Sequence, residues 1–187
     1  IMGELNQDKG KSMIFTISTQ GHSKYPTSNM DMDYKVKLVD SKLAKQDQNQ
    51  INYYANQVYE MDLFVRDLKA SLDARKKNYV LVVYGDHLPA LNIITRNMSG
   101  VDKFSSLFAV IDNMGIKKRS VQKDLQGYQM STMVMDLAGL KYGPMNMVHA
   151  YLKDKSDYQE KLKLVQYDIL FGKRYFLKES EEPIKNN

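Results

Sequence analysis

The sequence predicts an α/β fold in which a mainly parallel sheet is flanked by helices. The prediction rests on two apolar, β-branched runs, at 12–18 and 79–84, which are separated by a long stretch of helical periodicity. Neighbouring parallel strands need a helical crossover of this kind between them. The order strand, helix, strand, strand, helix along the chain is typical of a layered α/β domain.

Local sequence patterns predict the individual strands and helices. Three runs rich in Val, Ile and Phe predict strands, at 12–18, 79–84 and 106–111. Two stretches with apolar residues at helical spacing predict helices, at 48–74 and 131–140. The connection at 88–101 contains Pro89 and Gly100 and predicts a loop.

One acidic residue stands out within the longer predicted helix. Asp62 falls in the apolar stripe that contains Ala55, Val58 and Val65. A carboxylate on a buried face must find polar partners. We therefore interpret Asp62 as a buried hydrogen-bonding anchor in preference to a catalytic group.

Composition narrows the function classes. The chain has 187 residues and a net charge of +5, from 27 basic and 22 acidic residues. The basic residues are scattered, without a dense stripe and interleaved aromatics, so we predict no nucleic-acid binding. The absence of cysteine excludes disulfides, thiolate nucleophiles and Cys-type zinc sites. No apolar run approaches the roughly 18 residues of a membrane span, and the first residues do not resemble a signal peptide.

The candidate site is the turn Gly85-Asp86-His87, which follows the apolar run at 79–84. That run is expected to be a strand buried on both faces, and ligands bind at the carboxyl ends of such strands. The other early strand ends close to His22, so His22 and the Asp86–His87 pair are expected to meet at one edge. A carboxylate and an imidazole offer lone pairs to a divalent cation. The alternative is a surface turn with incidental polar residues.

His149 is the remaining histidine of the chain. It has no acidic neighbour at ligand spacing, and we interpret it as a surface or packing residue.

Four segments resemble one enzyme family in sequence and in order. The residues at 82–87, Val-Val-Tyr-Gly-Asp-His, resemble the metal-binding strand end of the alkaline phosphatase and sulfatase superfamily. The segments at 15–22, 131–139 and 167–175 resemble those of lipoteichoic acid synthases and related phosphoglycerol transferases. The resemblance covers most of residues 12–177 and implies an alkaline phosphatase/sulfatase-like domain.

The resemblance implies a metal-dependent transferase. Asp86 and His87 would bind the catalytic metal, manganese or magnesium in preference to zinc, and His22 would contact the substrate phosphate. Family members cleave a phosphoglycerol group from a lipid such as phosphatidylglycerol. They deliver it through a covalent threonine intermediate to a glycerophosphate polymer or a glycan. The full-length protein would be anchored in the cell membrane with an extracellular catalytic domain.

The chain departs from the family pattern at its beginning. The family's nucleophilic threonine and a metal-binding glutamate lie ahead of the segment that corresponds to 12–22, where this chain has eleven mostly polar residues. We therefore expect residues 1–177 to be the C-terminal part of a catalytic domain, with no nucleophile and half of a metal site, and 178–187 to be a charged flexible tail. Leu88-Pro89 follows His87 where the family commonly has glycine.

Two other functions remain open from the sequence. The first is a sulfatase or phosphatase hydrolase of the same superfamily. The second is a non-catalytic module that binds anionic cell-envelope polymer through its basic surface.

Overall fold

The computed structural model describes residues 1–8, 10–39, 42–97, 104–116 and 125–175. In these ranges the chain is mostly helical and contains one two-stranded sheet. A 3₁₀ turn at Gly127–Gln129 precedes the fourth helix. The helices are α1 (Met2–Gln7), α2 (Lys45–Ala74), α3 (Asn92–Asn97), α4 (Met130–Ala138), α5 (Pro144–Leu152) and α6 (Tyr158–Leu170), and the strands are β1 (Val80–Tyr84) and β2 (Phe108–Asp112).

The sheet is antiparallel, and the predicted parallel arrangement is wrong for the described residues. Gly85, just after β1, donates its amide hydrogen to the carbonyl of Leu107, just before β2, at 3.1 Å. At the other end, the amide of Tyr79 donates to the Asn113 side chain at 3.0 Å. The first four residues of β1 are half-buried and Tyr84 is 42% exposed, so β1 is not covered on both faces as predicted.

The first predicted strand is also wrong. Residues 12–18 are described without strand pairing, and none of the described backbone hydrogen bonds involves them. Met13, Phe15 and Ile17 are 86%, 65% and 78% exposed. A β-branched, apolar run favours an extended conformation, but it becomes a strand only when a neighbour pairs with its backbone. The described residues supply no such neighbour to this segment.

The long helix is confirmed as α2, which has 30 residues and begins three residues earlier than predicted. It ends at Ala74, and Lys76 then takes a left-handed conformation with φ of 54°. The predicted role of Asp62 is wrong, because its side chain is exposed. The buried positions of α2 are instead four polar residues near its beginning and two leucines near its end: Asp47, Asn49, Gln50, Asn56, Leu68 and Leu72.

The described chain divides into two compact units. The first combines Ile1–Lys77 with Val83–Ala109, and the second combines Asn78–Val82 with the residues described from Val110 onward. The buried apolar residues of the first unit are Tyr25, Leu68, Leu72 and Leu91.

The second unit is built around the last three helices. α4 packs against α5, and α5 packs against α6. Gly139 ends α4 with a φ of 63°, a left-handed conformation that glycine adopts without a steric penalty. Pro144 opens α5, where its missing amide hydrogen and fixed φ suit the first helical turn. Val148, Tyr158 and Leu162 form the core of this unit.

Two further predictions are modified by the structure. The segment predicted as a loop at 88–101 contains the short helix α3, which starts three residues after Pro89. The sequence patterns predicted no element after 131–140, and the structure has α5 and α6 there. The charged tail predicted at 178–187 lies outside the described residues.

His149 is buried in the second unit, which confirms a packing role. Its Nδ1 lies 2.8 Å from the hydroxyl of Tyr158, and that hydroxyl also accepts a hydrogen bond from the Gln129 side chain at 3.1 Å. The Tyr128 ring lies 5.4 Å from the imidazole. Burial lowers the pKa of His149 below its usual value of 6.5, because the charged ring loses its hydration.

This burial predicts that acid destabilises the second unit. Since the folded-state pKa lies below the unfolded-state pKa, the unfolded chain binds more protons as pH falls below about 6.5. The free energy of unfolding should therefore fall below that pH and level off beneath the folded-state pKa. Thermal unfolding followed between pH 7.5 and 5 should show this fall for the wild type and a flatter profile for His149→Gln. Equal slopes in both proteins would contradict the assignment.

Candidate functional site

The Gly85-Asp86-His87 turn lies directly after β1, in the first unit. Both polar side chains are open to solvent, with exposed fractions of 78% for Asp86 and 57% for His87. The His87 Nε2 lies 3.6 Å from the Asp86 Oδ1. A Cβ atom at position 85 would collide with the Ser106 hydroxyl, so glycine allows the close approach of this turn to the segment before β2.

The His87 ring is held in one tautomer by the backbone. Its Nδ1 lies 2.9 Å from the carbonyl oxygen of Leu88. Because a carbonyl only accepts, Nδ1 must carry the proton, and the lone pair of the neutral ring is then on Nε2. That arrangement is common for histidines that bind metals, since the second ring nitrogen is fixed by a backbone or carboxylate acceptor.

His22 has the same arrangement on a second turn. Its Nδ1 lies 3.1 Å from the carbonyl oxygen of Ser23, and its amide donates to the carbonyl of Thr19 at 3.1 Å. Gly21 adopts a φ of 83° in this turn. Tyr25 closes the turn by donating its hydroxyl to the Gly21 carbonyl at 2.8 Å.

The structure brings the two histidine turns together. The ring centroids of His22 and His87 are 6.1 Å apart, with the planes 77° from parallel. The proximity that the sequence suggested is therefore present, but its predicted cause is not. The two turns do not end neighbouring parallel strands; both are attached to the first half of α2, through contacts that involve Asn49, Gln50 and Tyr54.

The donor set of this site fits a divalent metal only in part. Asp86 and His87 are ligands of suitable chemistry on adjacent residues. Within the described ranges, no group of three or more His, Cys, Asp or Glu side chains is arranged to hold a metal ion. Catalytic metal sites usually have at least three protein ligands, so these residues form an incomplete set.

Sequence reasoning missed the residues that hold the two turns. Tyr25 is 7% exposed and packs edge-to-face on Tyr54, with ring centroids 5.6 Å apart. Burial raises the pKa of the Tyr25 hydroxyl above 10.0. Asn49 and Gln50, both buried, reach the segment after His22. The available signal was the stretch at 46–52, near the beginning of the long helix, where five of seven residues have amide side chains.

Comparison with known proteins identifies the family. The sulfatase family matches residues 1–140, which is more than half of the chain and contains both histidine turns. Neither a curated protein nor a solved structure matches. In the part of the chain that the structure describes, no helix is long and apolar enough to cross a membrane. The match over residues 1–140 shows that this chain belongs to the sulfatase family.

Proposed function

We propose that the chain is the C-terminal part of the catalytic domain of a metal-dependent phosphoglycerol transferase. In this proposal Asp86 and His87 contribute ligands to a manganese or magnesium ion, and His22 contacts the substrate phosphate. The observation that carries the proposal is the 6.1 Å separation of the His22 and His87 rings beside the exposed Asp86. All three residues lie within the region that the sulfatase family matches.

The side chains have distinct roles in this proposal. The backbone acceptor on Nδ1 leaves the Nε2 of His87 and the carboxylate of Asp86 as donors to one cation. A metal bound there would polarise a phosphoryl oxygen. His22 has its Nδ1 proton engaged by Ser23, so it donates to a phosphate oxygen through Nε2 when the ring is protonated.

By the resemblance, the reaction also requires groups from outside this site. By the resemblance, a threonine and a glutamate ahead of the segment at 12–22 in a longer protein supply the nucleophile and a further ligand. The threonine oxygen would attack phosphorus, and the bond to the diacylglycerol oxygen would break, with that oxygen taking up a proton. An acceptor hydroxyl on a glycerophosphate polymer or glycan would then displace the threonine. By the same resemblance, the longer protein would be membrane-anchored with an extracellular catalytic domain.

The family match also supports a second candidate function. A sulfatase or phosphatase would use the same ligand pair and phosphate-contacting histidine but transfer the group to water. A third reading, a module that binds anionic polymer, rests only on the net charge of +5.

Metal binding by the chain itself tests the ligand assignment. We expect manganese titrated into the wild-type chain by calorimetry to bind weakly, because the ligand set is incomplete. Asp86→Ala and His87→Ala should each weaken this binding by about tenfold or more, by analogy with the loss seen when metal-site partners are removed. Asp62→Ala, which removes an exposed carboxylate from α2, is the matched control and should leave the binding unchanged.

Activity of the full-length natural protein distinguishes the candidate functions. Diacylglycerol release from phosphatidylglycerol, lost in Asp86→Ala and His87→Ala, would support the transferase. Cleavage of aryl sulfate or aryl phosphate without lipid turnover would identify a hydrolase. Polymer binding that survives both substitutions, with no turnover of any of the three substrates, would overturn an enzymatic role.

A further inference from the structure

The first turns of α2 bury an unusual number of polar side chains. Asp47, Asn49, Gln50 and Asn56 are each 7% exposed or less. Amide and carboxylate side chains are mostly exposed in folded proteins, and a buried one is stabilising only when hydrogen bonds replace its lost hydration. None of the buried side-chain polar atoms in the described residues lacks a partner. The partners of these four side chains therefore show what this face of the helix holds in place.

Gln50 contacts both segments that follow the site histidines. Its side-chain nitrogen donates to the carbonyl of Tyr25 at 3.3 Å, three residues after His22. Its side-chain oxygen accepts the amide hydrogen of Asn92 at 3.1 Å, five residues after His87. One buried amide group thus connects the two segments that follow the histidine turns.

Neighbouring side chains support each segment separately. Asn49 donates to the carbonyl of Thr27 at 2.7 Å, on the His22 side. Asp47 forms an ion pair with Arg96 of α3, on the His87 side. Positions 47, 49 and 50 lie within one turn of α2, so both chain segments are attached to the same short stretch of a rigid helix.

We propose that Gln50 is a positioning residue that sets the distance between His22 and the Asp86–His87 pair. The hydrogen bonds of Gln50 do not depend on any assumed function. Only the consequence of this positioning for catalysis rests on the proposed function. Replacement by leucine, similar in size but apolar, would leave the Asn92 amide and the Tyr25 carbonyl without this partner. The two segments would then lose the side chain that bonds to both of them while the packing volume is kept, and the imidazole rings should separate.

The chain offers a direct readout of this distance, since it has only three histidines. With histidine labelled by ¹³C and ¹⁵N, NMR of the full chain should show three imidazole ring systems. A nuclear Overhauser contact is expected between the rings of His22 and His87 in the wild type. His149 belongs to the other unit and serves as the internal reference. In Gln50→Leu, we expect the contact between His22 and His87 to fall to background while the His149 signals stay unchanged.

Two further variants separate positioning from loss of folding. Gln48→Leu is the matched control, because Gln48 donates to the Leu43 carbonyl at 2.7 Å and touches neither histidine turn. It should keep the ring contact. Gln50→Asn keeps an amide that is too short to reach both partners, and it should lose the contact even if Gln50→Leu unfolds by circular dichroism.

The outcomes for positioning and for function are distinct. A ring contact that persists in a folded Gln50→Leu or in Gln50→Asn overturns the positioning role, and so does its loss in Gln48→Leu. Manganese added to the wild type should broaden the His87 signals first. If manganese broadens no histidine signal, the metal-site proposal fails, while the ring contact still decides the role of Gln50.

Discussion

Leu162→Ala is expected to lower the free energy of unfolding of the second unit by about 3 kcal/mol. Leu162 is 5% exposed and lies in the core with Val148 and Tyr158, where Met145, Leu152 and Val165 also pack. Truncation removes apolar contacts and leaves a cavity that three short helices can fill only in part. Because this core is small, the loss is a large fraction of the stability that a domain of this size has.

The matched control for this prediction is two residues away on the same helix. Leu164 is 63% exposed, so Leu164→Ala should change stability by less than about 0.5 kcal/mol. Urea denaturation followed by far-ultraviolet circular dichroism suits the measurement, since the chain has no tryptophan. Similar costs for the two substitutions would show that α6 does not pack through the face that carries Leu162.

Local sequence patterns predicted the elements whose residues carry their own periodicity. α2 and α4 were found from apolar residues at helical spacing, and β1 and β2 from short β-branched runs. The start of α5 was also open to prediction, because Gly143-Pro144 is a typical helix opening. In each case the determining interactions lie within a few residues along the chain.

The pairing of strands could not be derived in the same way. The run at 12–18 has the composition of a strand, but the hydrogen-bond partner of a strand lies far away in sequence. β1 pairs with β2, which follows it along the chain, instead of with the earlier run. The expected convergence of the two histidine turns was therefore obtained from a wrong sheet topology, and the structure attributes it to α2.

The buried face of α2 is a second feature that local sequence patterns did not predict. The apolar residues at helical spacing predicted that the face carrying Val58 and Asp62 is buried. In the structure Val58 is 47% exposed and Asp62 is exposed. The first half of the helix buries amides instead, because long loop segments need hydrogen-bond donors and acceptors. Asn56, for example, binds the backbone of Lys35 and Val36 with both ends of its side chain. Hydropathy assigns such residues to the surface, so this face was missed.

Tyr25→Ala is expected to destabilise the first unit by about 3–4 kcal/mol, the range for loss of a buried aromatic ring. Tyr25 is 7% exposed, packs on Tyr54, and donates its hydroxyl to the Gly21 carbonyl next to His22. Tyr25→Phe keeps the ring and removes only the hydrogen bond, so it should cost about 1 kcal/mol. Phe15→Ala, at a position that is 65% exposed in the same unit, should have little effect.

The difference between the alanine and phenylalanine variants at position 25 tests how the His22 turn is held. If the ring packing against Tyr54 anchors the turn, Tyr25→Phe should keep the nuclear Overhauser contact between His22 and His87, and Tyr25→Ala should lose it. If the hydroxyl fixes Gly21 in its left-handed conformation, both variants should lose the contact. Equal stability of Tyr25→Ala and Tyr25→Phe in urea would contradict the packing role. In that case the attachment of the turn to α2 would depend on the hydrogen bonds of Asn49 and Gln50 instead.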